Sequence, residues 1–313
     1  FDAYFKNYEF LLGTCANATE LLLNSPPSQQ QYDFHTYGEI KDKTEKIKDF
    51  SYSSTYGRDI SFKDIIYLLP PGVQEPDAKL LKTMKQLYPL RKTLYNAVLG
   101  SLKPLLPAAS TPEDLELAAR NNALPPLMVA YIGNRDGMTV GFPFELDYAK
   151  DYDPRKRNWY INALKEPDHF VWSMPYIDIG ASQSNVLTCS KAICNDSGEV
   201  IAVAAADISW EHLLKLLENT GNNGRYVENK FLVDEKGNII TDSTHTLNPE
   251  KTKNGLKFQE FQPNRLLNSM WRRKNGWIFV KRKNNYLYFF MEIKTLKWLY
   301  IEKINFDEFI KSQ

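Results

Sequence analysis

Neither sign of charge dominates this sequence: 39 Lys and Arg face 38 Asp and Glu, a formal net charge of +1. Without a basic excess it has little with which to grip a phosphate backbone, and nucleic acid is excluded as its main partner. Cysteine is scarce, at three residues (Cys15, Cys189 and Cys194). Cys189 and Cys194 lie five apart on one expected strand and so point to opposite faces, a poor geometry for a disulfide. All three read as small buried or half-buried thiols. No apolar run approaches the ~20 residues needed to cross a bilayer, and no cleavable leader is recognisable. Catalytic signatures are missing as well. There is no Gly-x-Ser-x-Gly elbow, phosphate loop, dinucleotide glycine fingerprint or His-Glu-x-x-His helix. The four His (His35, His169, His212, His245) stand apart, with no pair at metal-ligand spacing. No enzyme, metal or cofactor is therefore expected.

What is present is ordinary globular composition: 313 residues, 43% hydrophobic and 25% charged. That is enough for one large domain or two modest ones, each with a core. The unusual number is 18 Tyr. A phenol offers a flat apolar face and a polar tip, which suits a polar small-molecule pocket or a wet interface. Residue 1 is Phe rather than Met, and the chain reads as a piece cut from something longer.

Apolar residues at three- and four-residue spacing (Tyr4, Phe5, Tyr8, Leu11, Leu12, Cys15, Ala18, Leu22) predict a helix from the start to about residue 48. Ser25-Pro26-Pro27-Ser28 weakens it. Residues 51–75 look irregular. Helices follow from Asp77 to about Leu102 and, capped by Ser110-Thr111-Pro112-Glu113, to about Asn121. After Pro126 strands take over. Leu127–Gly133 and Met138–Phe142 form a hairpin around Asn134-Arg135-Asp136-Gly137. A helix opened by Asp153-Pro154 comes next, then strands Phe170–Asp178, Ser184–Cys194 and Glu199–Ser209. After a helix at Trp210–Asn219 the order repeats. Tyr226–Val233 and Asn238–Ser243 make the hairpin, Asn264–Trp271 the helix, and Trp277–Arg282, Tyr286–Ile293 and Trp298–Ile304 the closing strands. Hairpin, helix and three antiparallel strands, twice over, is the order of a PAS-like sensor sheet. The expected fold class is α+β: a long N-terminal helix (1–50) carrying two stacked PAS-like antiparallel-sheet modules (51–209 and 210–305), with a tail at 306–313.

The densest group of functional-looking residues is Tyr152-Asp153-Pro154-Arg155-Lys156-Arg157-Asn158-Trp159-Tyr160. If Pro154 starts a helix, Arg157 and Trp159 fall in its first two turns, where free backbone donors favour an anion. The Arg157 guanidinium is a planar fork matched to a carboxylate, and an indole N–H adds a further bond. The plainer reading is a solvated basic helix start with Trp159 and Tyr160 in the core. Tyr176 and Asp178 alternate on one strand and share a face. Asp207 ends a strand that is otherwise apolar or small, where a buried carboxylate needs a partner. Either it caps the helix at Trp210 or it meets a cationic ligand group. Asp147, Asp151 and Asp153 also cluster, but Asp153 reads as the cap before Pro154, so neither catalysis nor a metal is assigned there. Asn17 and Asn195 head Asn-x-Ser/Thr triplets, which are too frequent by chance to decide anything.

Tyr152 to Tyr160, Trp172 through Pro175-Tyr176-Ile177-Asp178, and Asp196-Ser197-Gly198-Glu199-Val200-Ile201-Ala202-Val203 ending in Asp207-Ile208 together resemble a double-Cache sensor domain. Such domains are the extracytoplasmic ligand-binding parts of bacterial chemoreceptors, sensor kinases and cyclases. The resemblance covers most of the chain and is specific between about residues 150 and 210. It implies a membrane-distal module at 51–209 and a membrane-proximal one at 210–305. It also implies an inner-membrane protein whose present fragment is periplasmic, with transmembrane helices before Phe1 and after Gln313, and a homodimer in the full receptor. Within the family the sequence is similar to the subgroup that binds free amino acids. By that resemblance Arg157, Trp159 and Tyr152 hold the ligand carboxylate, while Tyr176, Asp178 and Asp207 hold its ammonium. Tyr131, Phe142, Phe144, Thr188 and Ser190 are candidates for the wall that selects the side chain, and the aromatics among them would favour uncharged or apolar amino acids. The expected function is sensing of an L-amino acid without chemistry. The alternatives are a sensor for an amine or small carboxylate and a non-sensing adhesion or scaffold ectodomain.

Overall fold

The structure, a computed structural model, describes residues 1–27, 32, 36–37, 47, 49–145, 148, 151–177, 185–246, 249–252, 255–281 and 283–312. They divide into two compact units, Asn7–Ser209 and Phe1–Lys6 with Trp210–Gln313. Helix α1 (Asp2–Asn24) stops at Ser25-Pro26-Pro27, because proline can supply no further ladder donor. Its last carbonyls are met by Gln86, whose Nε2 donates to Leu22, Leu23 and Ser25 at 3.3, 3.2 and 2.6 Å. The single helix expected over residues 1–50 is thus cut short. Thr36 already forms a parallel bridge with Tyr67, and most of 28–48 lies outside the described residues.

The stretch expected to be irregular holds three short strands, β1 (Ser51–Ser53), β2 (Arg58–Ile60) and β3 (Ile66–Leu68). Helix α2 (Ala78–Leu87) is capped by Asp77, which accepts from the Leu80 N–H at 2.8 Å, and α3 (Leu90–Gly100) follows. Pro89 divides the one helix expected over Asp77–Leu102. Helix α4 (Pro112–Asn121) opens on a capping box between Thr111 and Asp114.

The sheet of the first unit is built from β3, β4 (Leu127–Asn134), β5 (Thr139–Phe142), β6 (Phe170–Trp172), β8 (Asn185–Cys194) and β9 (Val200–Ser209), with β7 (Tyr176–Ile177) on β8. Its order is β3-β5-β4-β9-β8-β6, and all these pairs are antiparallel. Two elements depart from expectation. The helix at Pro154 lasts one tight turn, Pro154–Lys156. Arg157 is extended (φ −89°, ψ 143°), and α5 (Asn158–Lys165) starts afresh after it. Ser173-Met174-Pro175 divides the strand expected over Phe170–Asp178, since proline cannot donate to a ladder. Central β9 carries small residues, so Val203 and Ala205 let Trp159, Tyr160 and Ala163 of α5 pack close.

The second unit contains α6 (Trp210–Asn219), β10 (Val227–Asp234), β11 (Asn238–Asp242), β12 (Glu250–Thr252), β13 (Gly255–Lys257) and β14 (Gln259–Glu260). Helix α7 (Asn264–Arg273), β15 (Asn275–Val280), β16 (Tyr286–Ile293), β17 (Trp298–Asn305) and α8 (Phe306–Lys311) complete it. The terminal segment expected as a tail is therefore a short helix. The sheet order is β14-β11-β10-β17-β16-β15, so hairpin strand, first strand, last strand and penultimate strand follow one another as in the first sheet. Its core is apolar, with Phe231, Val233, Phe261, Met270, Phe290 and Ile301 among the buried residues. All three cysteines are free. Among the described residues no helix is long and apolar enough to cross a membrane, and no group of three His, Cys, Asp or Glu could hold a metal ion.

Candidate functional site

On the face of the first sheet that carries α5, paired strand positions line up in rows. Val129, Asp207 and Thr188 form one row, Tyr131, Ala205 and Ser190 the next, and Gly133, Val203 and Ala192 a third. Cross-strand partners share a face, so the Asp207 carboxylate stands beside Thr188 and diagonally from Tyr131. The Tyr131 hydroxyl donates to Asp207 Oδ1 at 2.8 Å, and Thr188 Oγ1 donates to the same oxygen at 2.6 Å. Because the single Thr188 proton is used there, its 2.8 Å contact with the Tyr176 hydroxyl has Tyr176 as donor. A hydrogen-bonded chain thus runs from Tyr176 through Thr188 to Asp207. Burial and the adjacent Asp207 carboxylate hold the Tyr131 phenol protonated well above its usual range, which keeps it a donor. Asp207 lies buried inside β9 and bonds across the sheet, which makes it the centre of this network.

Opposite this acceptor end, Gly133 lets the chain close on β4. A Cβ there would sit 2.8 Å from both Pro154 Cβ and Trp159 Cη2, so that any side chain would push one of them aside. Trp159, only 2% exposed, meets Tyr131 edge to face with ring centroids 5.0 Å apart. Such a pair adds about 0.5–1.5 kcal/mol beyond the burial of its area. Asp153 fixes the tight turn. It accepts from the Arg155 N–H at 3.1 Å and from Arg155 Nε and Nη2 at 2.9 and 3.0 Å, and these bonds pull its carboxyl below the usual range. Arg155 is therefore committed to the fold. Arg157 is not: its half-buried guanidinium makes no hydrogen bond or ion pair with any described residue, and neither does the Trp159 indole N–H.

One cleft brings together Tyr152, Arg157, Trp159, Tyr176 and Asp207 from the expected ligand contacts. Asp178, the sixth, lies outside the described residues, as does Asp147. Of the expected wall residues, Tyr131 lines the cleft and Thr188 reaches it through Asp207 and Tyr176. Phe142 and Phe144 do not. Phe142 packs against Phe62 and Tyr95, with centroids 6.2 and 5.8 Å away, and Phe144 joins Ile47, Ile66 and Leu68. The reason for Phe142 is strand alternation: Tyr131 pairs with Gly141, so Gly141 and Thr139 share the cleft face while Phe142 points to the other. Ser190 instead donates to the Val171 carbonyl at 3.3 Å. The preference for apolar ligands loses its basis with those two Phe. Val129, Thr139, Glu145 and Tyr148 also line the cleft and were not foreseen. Alternation from Gly133 could have found Thr139. Glu145, ion-paired to Arg58 at 3.0 Å, carries no local signal.

Residues 115–215 match the family described as "Methyl-accepting chemotaxis protein-like, first PDC sensor domain". The resemblance carried by residues 152–208 falls inside that segment. Over 114 residues the chain is 36% identical to the methyl-accepting chemotaxis protein McpC of Bacillus subtilis, and over 113 residues 27% identical to PctB of Pseudomonas aeruginosa. Each match takes in 36% of this chain and only 16% or 17% of the relative, so the chain spans about a sixth of their length. Similar solved structures include the sensory domain of the Campylobacter jejuni chemoreceptor Tlp3 with isoleucine bound, at 23% identity and a TM-score of 0.43, covering 68% of this chain and 75% of that one. The ligand-binding domain of P. aeruginosa PctB in complex with L-Gln is similar at 21% identity and a TM-score of 0.42, covering 67% and 83%.

Proposed function

We propose that the unit Asn7–Ser209 is the ligand-binding module of an extracytoplasmic sensor, and that its cleft holds a free L-amino acid without altering it chemically. One observation carries the reading: Arg157, a cation with no partner among the described residues, lines the same cleft as a buried acceptor network centred on Asp207. A zwitterion needs that pairing, a forked cation for its carboxylate and fixed acceptors for its ammonium. Arg157 and Trp159, with Tyr152, take the carboxylate. Asp207 and Tyr176, with Asp178 by the sequence resemblance, take the ammonium, and the Tyr176 ring adds a cation–π face worth about 0.5–2 kcal/mol. The chemotaxis family matched over 115–215 supports placing the module in a transmembrane receptor with this part outside the cytoplasm, and the sequence resemblance adds a homodimer at full length.

Thermal shift against the twenty L-amino acids tests this. A true ligand at a hundred times its dissociation constant adds about 2.7 kcal/mol of stability. Absence of a shift with all twenty would overturn the reading. Shifts confined to amines without a carboxylate would replace it with an amine sensor.

A further inference from the structure

Thr139 is the least explained residue of the cleft. It is 3% exposed, and its Oγ1 is a buried polar atom without a hydrogen-bond partner among the described residues. A hydroxyl held in that state weakens the fold, because it has given up water and received nothing in exchange. Its place on the sheet is specific. Thr139 pairs with Gly133, the position against which the Trp159 indole and Pro154 close. Paired residues present their side chains on one face about 5 Å apart. The Thr139 hydroxyl therefore stands at the Arg157–Trp159 end of the cleft, away from the row of Asp207.

Three donors without described partners now share that end: the Arg157 guanidinium, the Trp159 N–H and the Thr139 O–H. Arg and Trp side chains can only donate. Glu145, a carboxylate that also lines the cleft, is already ion-paired to Arg58 at 3.0 Å. A group that satisfies all three must bring acceptors, and a carboxylate does so with two oxygens. Resting on the amino-acid reading above, we infer that Thr139 is a third arm of the carboxylate clamp, donating from Oγ1 to a ligand carboxylate oxygen. It contacts the part common to every amino acid and plays no role in choosing the side chain. The orphaned hydroxyl of the empty site is then a binding group waiting for its acceptor.

The test is calorimetric titration of the whole chain with each L-amino acid that shifts the wild type, repeated on Thr139→Val, Thr139→Ser and Arg157→Ala. Val keeps the volume of Thr and removes the hydroxyl, so the empty T139V protein should be at least as stable as wild type. Its affinity should fall about tenfold, by the same factor for glycine or alanine as for larger ligands, while T139S stays within about twofold of wild type. A loss seen only with polar side chains would overturn the inference and make Thr139 a side-chain reader. Unchanged affinity in T139V would also overturn it, leaving the hydroxyl to water. Either outcome, with binding still abolished by R157A, spares the amino-acid reading. If R157A binds as well as wild type, or if no amino acid binds at all, that reading fails and this inference falls with it.

Discussion

The two sheets are built on one frame, and they differ in what fills the face that carries the cleft in the first. Asn134 and Asp234 open equivalent turns, each accepting the N–H four residues on, at 2.8 and 2.7 Å. Counting back along the ladders from there, Tyr131 and Gly133 correspond to Phe231 and Val233. Likewise Asp207 and Ala205 correspond to Lys303 and Ile301, Thr188 to Tyr288, and Thr139 to Ile239. The small residues that admit a cleft in the first sheet are therefore larger aliphatics in the second, where Phe261 and Met270 fill the space. The carboxylate that would accept an ammonium is a lysine, bonded to Glu228 at 2.6 Å. The two sheets thus differ in side-chain volume and polarity on a frame that is the same in both.

Charge shows the same division. The second unit buries Lys230 and satisfies it fully, its Nζ donating to Glu218 O, Thr220 O and Asn223 Oδ1 at 2.8, 2.7 and 2.6 Å. Burial pulls its pKa down, and the Glu302 and Glu218 carboxylates oppose that shift. Arg157 has no such partners among the described residues.

Swapping the fates of these two cations gives the largest expected effects. Arg157→Ala should weaken ligand binding by about 2–5 kcal/mol while shifting the stability of the empty protein by no more than about 0.5 kcal/mol. Lys230→Met should do the reverse, costing about 3 kcal/mol in urea unfolding by stranding three acceptors and leaving affinity unchanged. If R157A loses stability rather than affinity, the contrast between the units is broken.

Acid should separate the units too. Burial lowers the His212 pKa from 6.5 to about 4, so the folded state holds the neutral ring while the unfolded chain takes up a proton first. Stability should therefore fall as pH drops from about 6.5 to about 4, by up to about 3 kcal/mol. His212→Gln should flatten that slope in unfolding curves of the second unit, and an unaltered slope would assign the acid sensitivity elsewhere. The smallest effect concerns volume. Gly133→Val gives the first sheet the residue of the second, and crowding against Trp159 and Pro154 should cost about 1–3 kcal/mol of stability along with measurable affinity. A variant as stable as wild type would show that the glycine is not what admits the indole.

Much of the frame is legible because its main strands are long. The ten-residue β8 and β9 are nearly continuous buried runs bounded by turn residues, and the eight-residue β16 alternates over part of its length, so each is long enough to read. Three-residue strands such as β1 to β3 give too few alternations to read. The N-terminal helix ends at Asn24 and not near residue 48, because two consecutive prolines outweigh the apolar period that precedes them. Arg157, Trp159, Tyr176 and Asp207, which line one cleft, stand out in the sequence by chemistry and spacing, while their roles toward a ligand come from the family resemblance. Tyr131 was expected as a wall, yet its hydroxyl is a direct partner of Asp207. Phe142 shows why composition misleads: it neighbours the cleft in sequence, but the hairpin register turns it away.

The most direct measurement is the electron density of the cleft in a crystal grown with the amino acid that stabilises the protein most. The carboxylate should lie within hydrogen-bond distance, about 3 Å, of Arg157 and the Trp159 N–H, with the ammonium at Asp207. A ligand bound with its ends reversed, or an empty cleft with the ligand seated in the second unit, would contradict the assignment.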